Sequence, residues 1–129
     1  MDKAQALYGF WSSFGLPALD EQSAYDEGTL EALEIDYPYI TYETATDALD
    51  GPVAIGADIW YKSTSWAEIT RKSDDIAADI GLGGKLVPYT GGAVWITRGT
   101  PFAQRLPEES GNDSIRRVHI NINAEYLSA

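Results

Sequence analysis

The chain has no cysteine among its 129 residues. That absence excludes a disulfide framework and any metal centre built on thiolates. Its single histidine, His119, has no partner at the spacing of a zinc-binding helix and none placed for a serine–histidine pair. It reads as a surface or interface histidine on the polar side of a strand. Basic side chains are scarce, with nine lysines and arginines against twenty acids and a formal charge of −11. A surface of that sign repels phosphates, which argues against nonspecific binding to DNA or anionic lipid. No apolar run reaches the roughly 20 residues of a membrane span. The N-terminus, with Asp2 and polar residues among its apolar ones, does not read as a secretory signal. A chain of this kind is expected to be soluble and made in a cytoplasm, with no membrane partner.

What is present suits one packed domain over residues 1–129. Hydrophobic residues make up 44% of the chain, and four tryptophans and eight tyrosines supply large amphipathic side chains for a core or an interface. The charge is uneven. Residues 1–60 hold twelve acids and one base, whereas residues 61–129 hold eight of each. Such polarity suits a subunit that stacks head to tail on its neighbour.

Periodicity sets the predicted elements. Asp2 can cap a first helix in which Leu7, Phe10, Trp11 and Phe14 share a face, ended by Gly15 and Pro17. From Leu19 to Tyr37 there are seven acids and no base, which reads as a loop with a short helical turn at 29–33. Residues 38–45 and 52–64 read as strands. In the second, Val53, Ile55, Ala57, Ile59 and Tyr61 alternate with Ala54, Gly56, Asp58, Trp60 and Lys62, the latter set expected nearer water. Ser65 and Glu68 have capping-box spacing ahead of a helix with the stripe Trp66, Ile69, Ile76 and Ile80, stopped at Gly81. A hairpin over 85–98 turns at Gly91–Gly92, and 115–127 alternates as a final strand. Between them, 99–114 carries two prolines and an acidic tip. It reads as a projecting arm or long loop, with Pro101 breaking the ladder. The predicted fold is α+β, two helices on one face of a mostly antiparallel sheet of about five strands.

Constellations for catalysis are missing. The run Gly81–Lys85 follows a helix and lacks the Ser or Thr of a phosphate loop, so it is a turn. Asp74, Asp75 and Asp79 read as a solvated helical face, since hard cations need convergent oxygens. Twenty acids allow many carboxylate pairs and single out none. No enzyme is expected, and no catalytic, cofactor-binding or metal-binding residue is assigned. The arginines are more informative. Arg98, Arg105, Arg116 and Arg117 lie at the base of the arm or along it, with Phe102 between the first two. Arginine with aromatic residues on a protruding segment is the composition of a subunit interface. The acids Asp20, Glu21, Asp26, Glu27, Glu31 and Glu34 would be their partners on a neighbour, or would line a channel.

The ordered segments "DYPYITYE" (36–43), "DIWYKSTSWAEI" (58–69), "GGAVWITRGTPFAQRL" (91–106) and "RRVHININAEYL" (116–127) resemble tail-terminator proteins of long, non-contractile-tailed phages, broadly the lambda type. The resemblance implies an α+β subunit of a six-membered ring. Such a ring caps the head-proximal end of the tail tube, stops tube polymerisation and meets the head's connector. It implies the tube protein and the connector as partners, and genome DNA passing through without specific binding. It places the protein in the neck of the virion, and in the host cytoplasm during assembly. By motif position Arg98, Phe102 and Arg105 fall among the inter-subunit contacts, and no catalytic residue carries over. The acidic charge alone also suits a DNA mimic that inhibits a nucleic-acid-binding protein. The balanced charge of residues 61–129 and the arginine-bearing arm fit that alternative poorly.

Overall fold

Alternating apolar residues dominate the second half of the chain, and they generate the sheet that organises the molecule. The computed structural model describes residues 1–21, 36–45, 51–106 and 114–128. Along them run α1 (Lys3–Ser12), β1 (Ala18–Asp20), β2 (Tyr39–Tyr42), β3 (Val53–Lys62), α2 (Ala67–Ile80), β4 (Lys85–Tyr89), β5 (Gly92–Leu106) and β6 (Ile115–Ser128). The strands form one sheet in the order β1-β2-β3-β6-β5-β4. The α+β class is as expected, but the sheet has six strands and is mixed. β1 pairs with β2 in parallel, while the remaining neighbours are antiparallel. β1 spans three residues at the start of the acidic stretch read as a loop. Three residues are too few to establish a period of two.

The core lies between the helices and one sheet face. β3 and β6 pair from Val53↔Ala124 to Lys62↔Ile115. That register brings Ile55, Ala57 and Ile59 beside Ile122, Ile120 and Val118, all buried. Leu7, Phe10 and Trp11 of α1 and Ile69, Ile76 and Ile80 of α2 join the same cluster. Each side chain of this size contributes roughly 1.5–3 kcal/mol by leaving water.

α1 touches both β1 and β4, the two edge strands. In a flat six-stranded sheet those edges would stand about 24 Å apart. A helix roughly 10–12 Å across reaches both only because the sheet curls around it. The clasp is tightened at the N-terminus, where the Met1 ammonium donates to Thr90 Oγ1 at 2.8 Å. From α2, Lys72 Nζ donates to the Phe14 carbonyl at 2.8 Å.

Asp2 caps α1 as expected, whereas the start of α2 differs. α1 carries a full capping box: Asp2 Oδ1 accepts from the Gln5 amide at 2.8 Å, and Gln5 Oε1 accepts from the Asp2 amide at 2.9 Å. The box expected between Ser65 and Glu68 does not form. The helix begins one residue later, with Trp66 as its N-cap and no side-chain cap bond. Glu68 therefore sits at the second helical position, where its carboxylate has no route back to Ser65. Ser65 Oγ instead accepts from the Ala67 amide at 3.0 Å.

The arm expected at 99–114 is largely strand. Pairing of β5 with β6 stops after Arg98↔Ile122 and resumes at Ala103↔Ile120, continuing to Leu106↔Arg117. Residues 99–102 thus stand against Asn121 alone, a bulge that takes up the missing amide of Pro101. Asn121 Nδ2 donates to the Pro101 carbonyl at 3.0 Å, holding the bulge to β6. Gly99 is needed there, because a Cβ would come within 2.8 Å of the Asn121 carbonyl oxygen. Residues 107–113 of the expected arm lie outside the described residues.

Candidate functional site

The sheet separates the arginines that the sequence groups. Val118 points into the core, so Arg116 shares the side of β6 that faces α1 and α2 and Arg117 takes the opposite side. Arg105, paired with Val118 across the ladder, also stands on the helix side.

On that side the arginines gather about Trp66. The guanidinium carbons of Arg105 and Arg116 lie 4.9 and 5.1 Å from the centre of its ring. Both are within cation–π range. Arg116 Nη2 donates to the Thr64 carbonyl at 2.8 Å, while its buried Nε has no hydrogen-bond partner among the described residues. Neither arginine forms an ion pair among those residues. Two cations on one indole, with no carboxylate paired to either among the described residues, make a positive ridge. Arg98 is occupied differently: its Nε donates at 3.1 Å to the carbonyl of Gly81, the C-cap of α2, where the helix end favours positive charge. Phe102 packs half-buried against the core.

The opposite side carries a second cluster, centred on Asp58. This aspartate, expected near water, is only 4% exposed. Its Oδ1 accepts from Arg117 Nε at 3.1 Å and its Oδ2 from Arg117 Nη2 at 3.2 Å. His119 Nδ1 lies 3.0 Å from Oδ1; a carboxylate only accepts, so that nitrogen carries the proton. The register explains the meeting, since Asp58 pairs directly with His119 and Trp60 with Arg117. Arg117 lies 4.9 Å from the Trp60 ring centre, and Tyr39 stacks on Trp60 at 6.1 Å. The Trp60 indole N–H donates to Thr41 Oγ1 at 3.1 Å. These flat side chains roof the carboxylate on the side of the sheet away from α1 and α2.

Two further carboxylates border this network. Glu43 Oε1 accepts from the Gly56 amide at 3.0 Å. The Glu21 carboxyl is held above its ordinary pKa, first by burial and then by the charges of Asp58 and Glu43, with Arg117 and His119 pulling the other way. A raised carboxyl favours the protonated form in the fold. Its contribution to stability is therefore greatest below the ordinary glutamate value of roughly 4.3 and is lost as pH rises through the raised folded value. Glu21→Gln is expected to gain stability relative to wild type at neutral pH, with the gap closing as pH falls to about 4. Melting temperatures of both proteins across that range check this; a gap that widens in acid contradicts it.

The other expected residues fall as follows. Asp20 accepts a hydrogen bond from the Thr44 hydroxyl. Asp26, Glu27, Glu31 and Glu34 lie outside the described residues. Asp74 and Asp75 are exposed, and Asp79 pairs with Lys85 at 2.6 Å. His119, expected at the surface or at an interface, is partly exposed and belongs to the Asp58 network. Among the described residues no three His, Cys, Asp or Glu side chains gather as a metal would require. No described helix is long and apolar enough to cross a membrane. Sequence reasoning missed Asp58, Trp60 and Trp66 as members of charged clusters. The available signal was the strand pairing of 53–62 with 115–124, which sets Asp58 beside His119.

No family model and no curated protein matches the chain. Among solved structures, a chain of the virion of a native gene transfer agent (GTA) particle matches with a TM-score of 0.50. The match covers 95% of this chain and 90% of that one at 13% identity. The two chains share a fold. At that identity the likeness is one of architecture, and it carries no residue from one chain to the other. The two arginine clusters therefore rest on this chain's own geometry.

Proposed function

We propose that the chain is a non-catalytic structural component of a phage-like virion, and more specifically a tail terminator. In this reading copies close into a ring on the head-proximal end of a tail tube, end its polymerisation and present a surface to the head connector. The observation that carries the reading is the fold shared, over nearly the whole of both chains, with a component of an assembled virion particle. The motif resemblance to lambda-type terminators supplies the finer station in the neck.

The charge distribution supports it physically. A channel that passes DNA without retaining it needs walls that repel phosphate, and a subunit of charge −11 provides them. Arg105 and Arg116, free of carboxylate partners among the described residues, suit a seam between subunits. The arginines then lie where protein meets protein, and surplus carboxylates lie where DNA passes.

Light-scattering mass with negative-stain imaging tests the reading. The expected result is a closed ring of mass about six times the 14.1 kDa of one chain, formed in solution or on isolated tails. A protein that stays monomeric at every concentration and leaves tail ends bare contradicts it.

A further inference from the structure

Four exposed large apolar side chains gather at one end of the sheet face turned away from α1 and α2. Trp95 stands opposite Leu86 of β4 and Glu125 of β6, and Leu127 follows two residues along β6 on the same side. The Trp95 indole N–H donates to the Gly83 carbonyl at 3.1 Å, which lays the ring against the turn bearing Leu82. Gly84 admits that ring, since a Cβ there would approach Trp95 Nε1 to 2.4 Å. Leu82 is 97% exposed, Leu86 60%, Leu127 42% and Trp95 39%. Apolar side chains this exposed and this close together mark a contact surface rather than ordinary scatter.

The charged group in this patch is Glu125, which makes no ion pair among the described residues. Arg105 is in the mirror situation on its ridge beside Trp66. The two cannot meet within one chain. Arg105 lies opposite Val118, seven residues before Glu125 on β6, hence about 23 Å away along the strand. An odd separation also puts them on opposite faces of the sheet.

We propose that the patch formed by Leu82, Leu86, Trp95 and Leu127 receives the Arg105–Trp66 ridge of a second copy of this chain, with Arg105 pairing to Glu125 at its centre. The proposal rests on the ring reading and names the surfaces that make its seam. Donor and acceptor surfaces differ, so the contact is heterologous, the kind that propagates around a ring. Covering by Leu86 and Trp95 removes water from the pair, which raises the consequence of breaking it. The apolar rim supplies area, and the charge pair supplies register.

The lack of native cysteine makes the test direct. One preparation carries Arg105→Cys, another Glu125→Cys, and the two are mixed and treated with a short bis-maleimide. The mixture is expected to give a cross-linked dimer that neither variant gives alone. A second test uses charge. Arg105→Glu or Glu125→Arg alone is expected to weaken self-association about thirtyfold or more, the equivalent of ~2 kcal/mol for disrupting a desolvated pair. The double variant, in which every copy carries both exchanges, is expected to recover most of the loss. Wild type that assembles while the mixture fails to cross-link and single reversals leave its mass unchanged overturns this seam alone. Wild type that never assembles overturns the ring reading, and the seam with it.

Discussion

Arg117→Ala is expected to lower the unfolding free energy by about 3 kcal/mol, toward the lower end of what breaking a buried ion pair costs. The reason is what the truncation leaves behind. Asp58 is almost fully enclosed, and Arg117 supplies two of its hydrogen bonds from one guanidinium. Without it the carboxylate keeps His119 and faces low dielectric with no permanent cation. The arginine itself is partly exposed, so the loss does not reach the figure for a fully buried pair. Urea unfolding should show the midpoint falling with little change in slope, and the melting temperature should drop by about 12 °C for a domain of this size. Replacing both partners, Asp58→Leu with Arg117→Met, should be less destabilising than Arg117→Ala alone, because no buried charge is stranded. A loss under about 1 kcal/mol for Arg117→Ala would show that water reaches Asp58.

Trp11→Ala is expected to cost more, about 4 kcal/mol, as other large core truncations do. Trp11 is fully buried. It meets Phe10 edge-on at 4.9 Å and stacks on Tyr42 at 6.3 Å, so its removal opens a cavity where α1 joins the sheet. Trp11→Phe should cost far less than its lost volume suggests. The buried indole N–H has no hydrogen-bond partner among the described residues, and phenylalanine removes that unsatisfied donor. Equilibrium unfolding of both variants checks the pair of statements; equal losses would show that the indole nitrogen is satisfied.

The sequence made legible whatever depends on repetition. The alternation of Val53–Tyr61 and Val118–Ala124 marks the core face of β3 and β6, and those side chains are buried almost without exception. The stripe Ile69, Ile76, Ile80 likewise marks the buried side of α2. What stayed hidden depends on partners distant in the chain. β1 exists because the Pro17 carbonyl accepts from the Ile40 amide at 2.8 Å and the two segments then pair in parallel. Pro101 looked like the end of a strand because a proline removes one donor, whereas a bulge against Asn121 lets the ladder resume. The arginine cluster was visible as composition, but adjacent residues on a strand face opposite ways. Arg116 and Arg117 therefore belong to different sites, one on Trp66 and one on Asp58.

The helix that bridges both edges of the curled sheet has a consequence for how copies combine. An open sheet edge offers unpaired backbone donors and acceptors to any similar strand, and chains joined that way extend without limit. Here α1 contacts both β1 and β4, and Pro88 removes a donor from β4. Growth by strand addition is thereby disfavoured at the β4 edge, where a missing donor interrupts any further ladder.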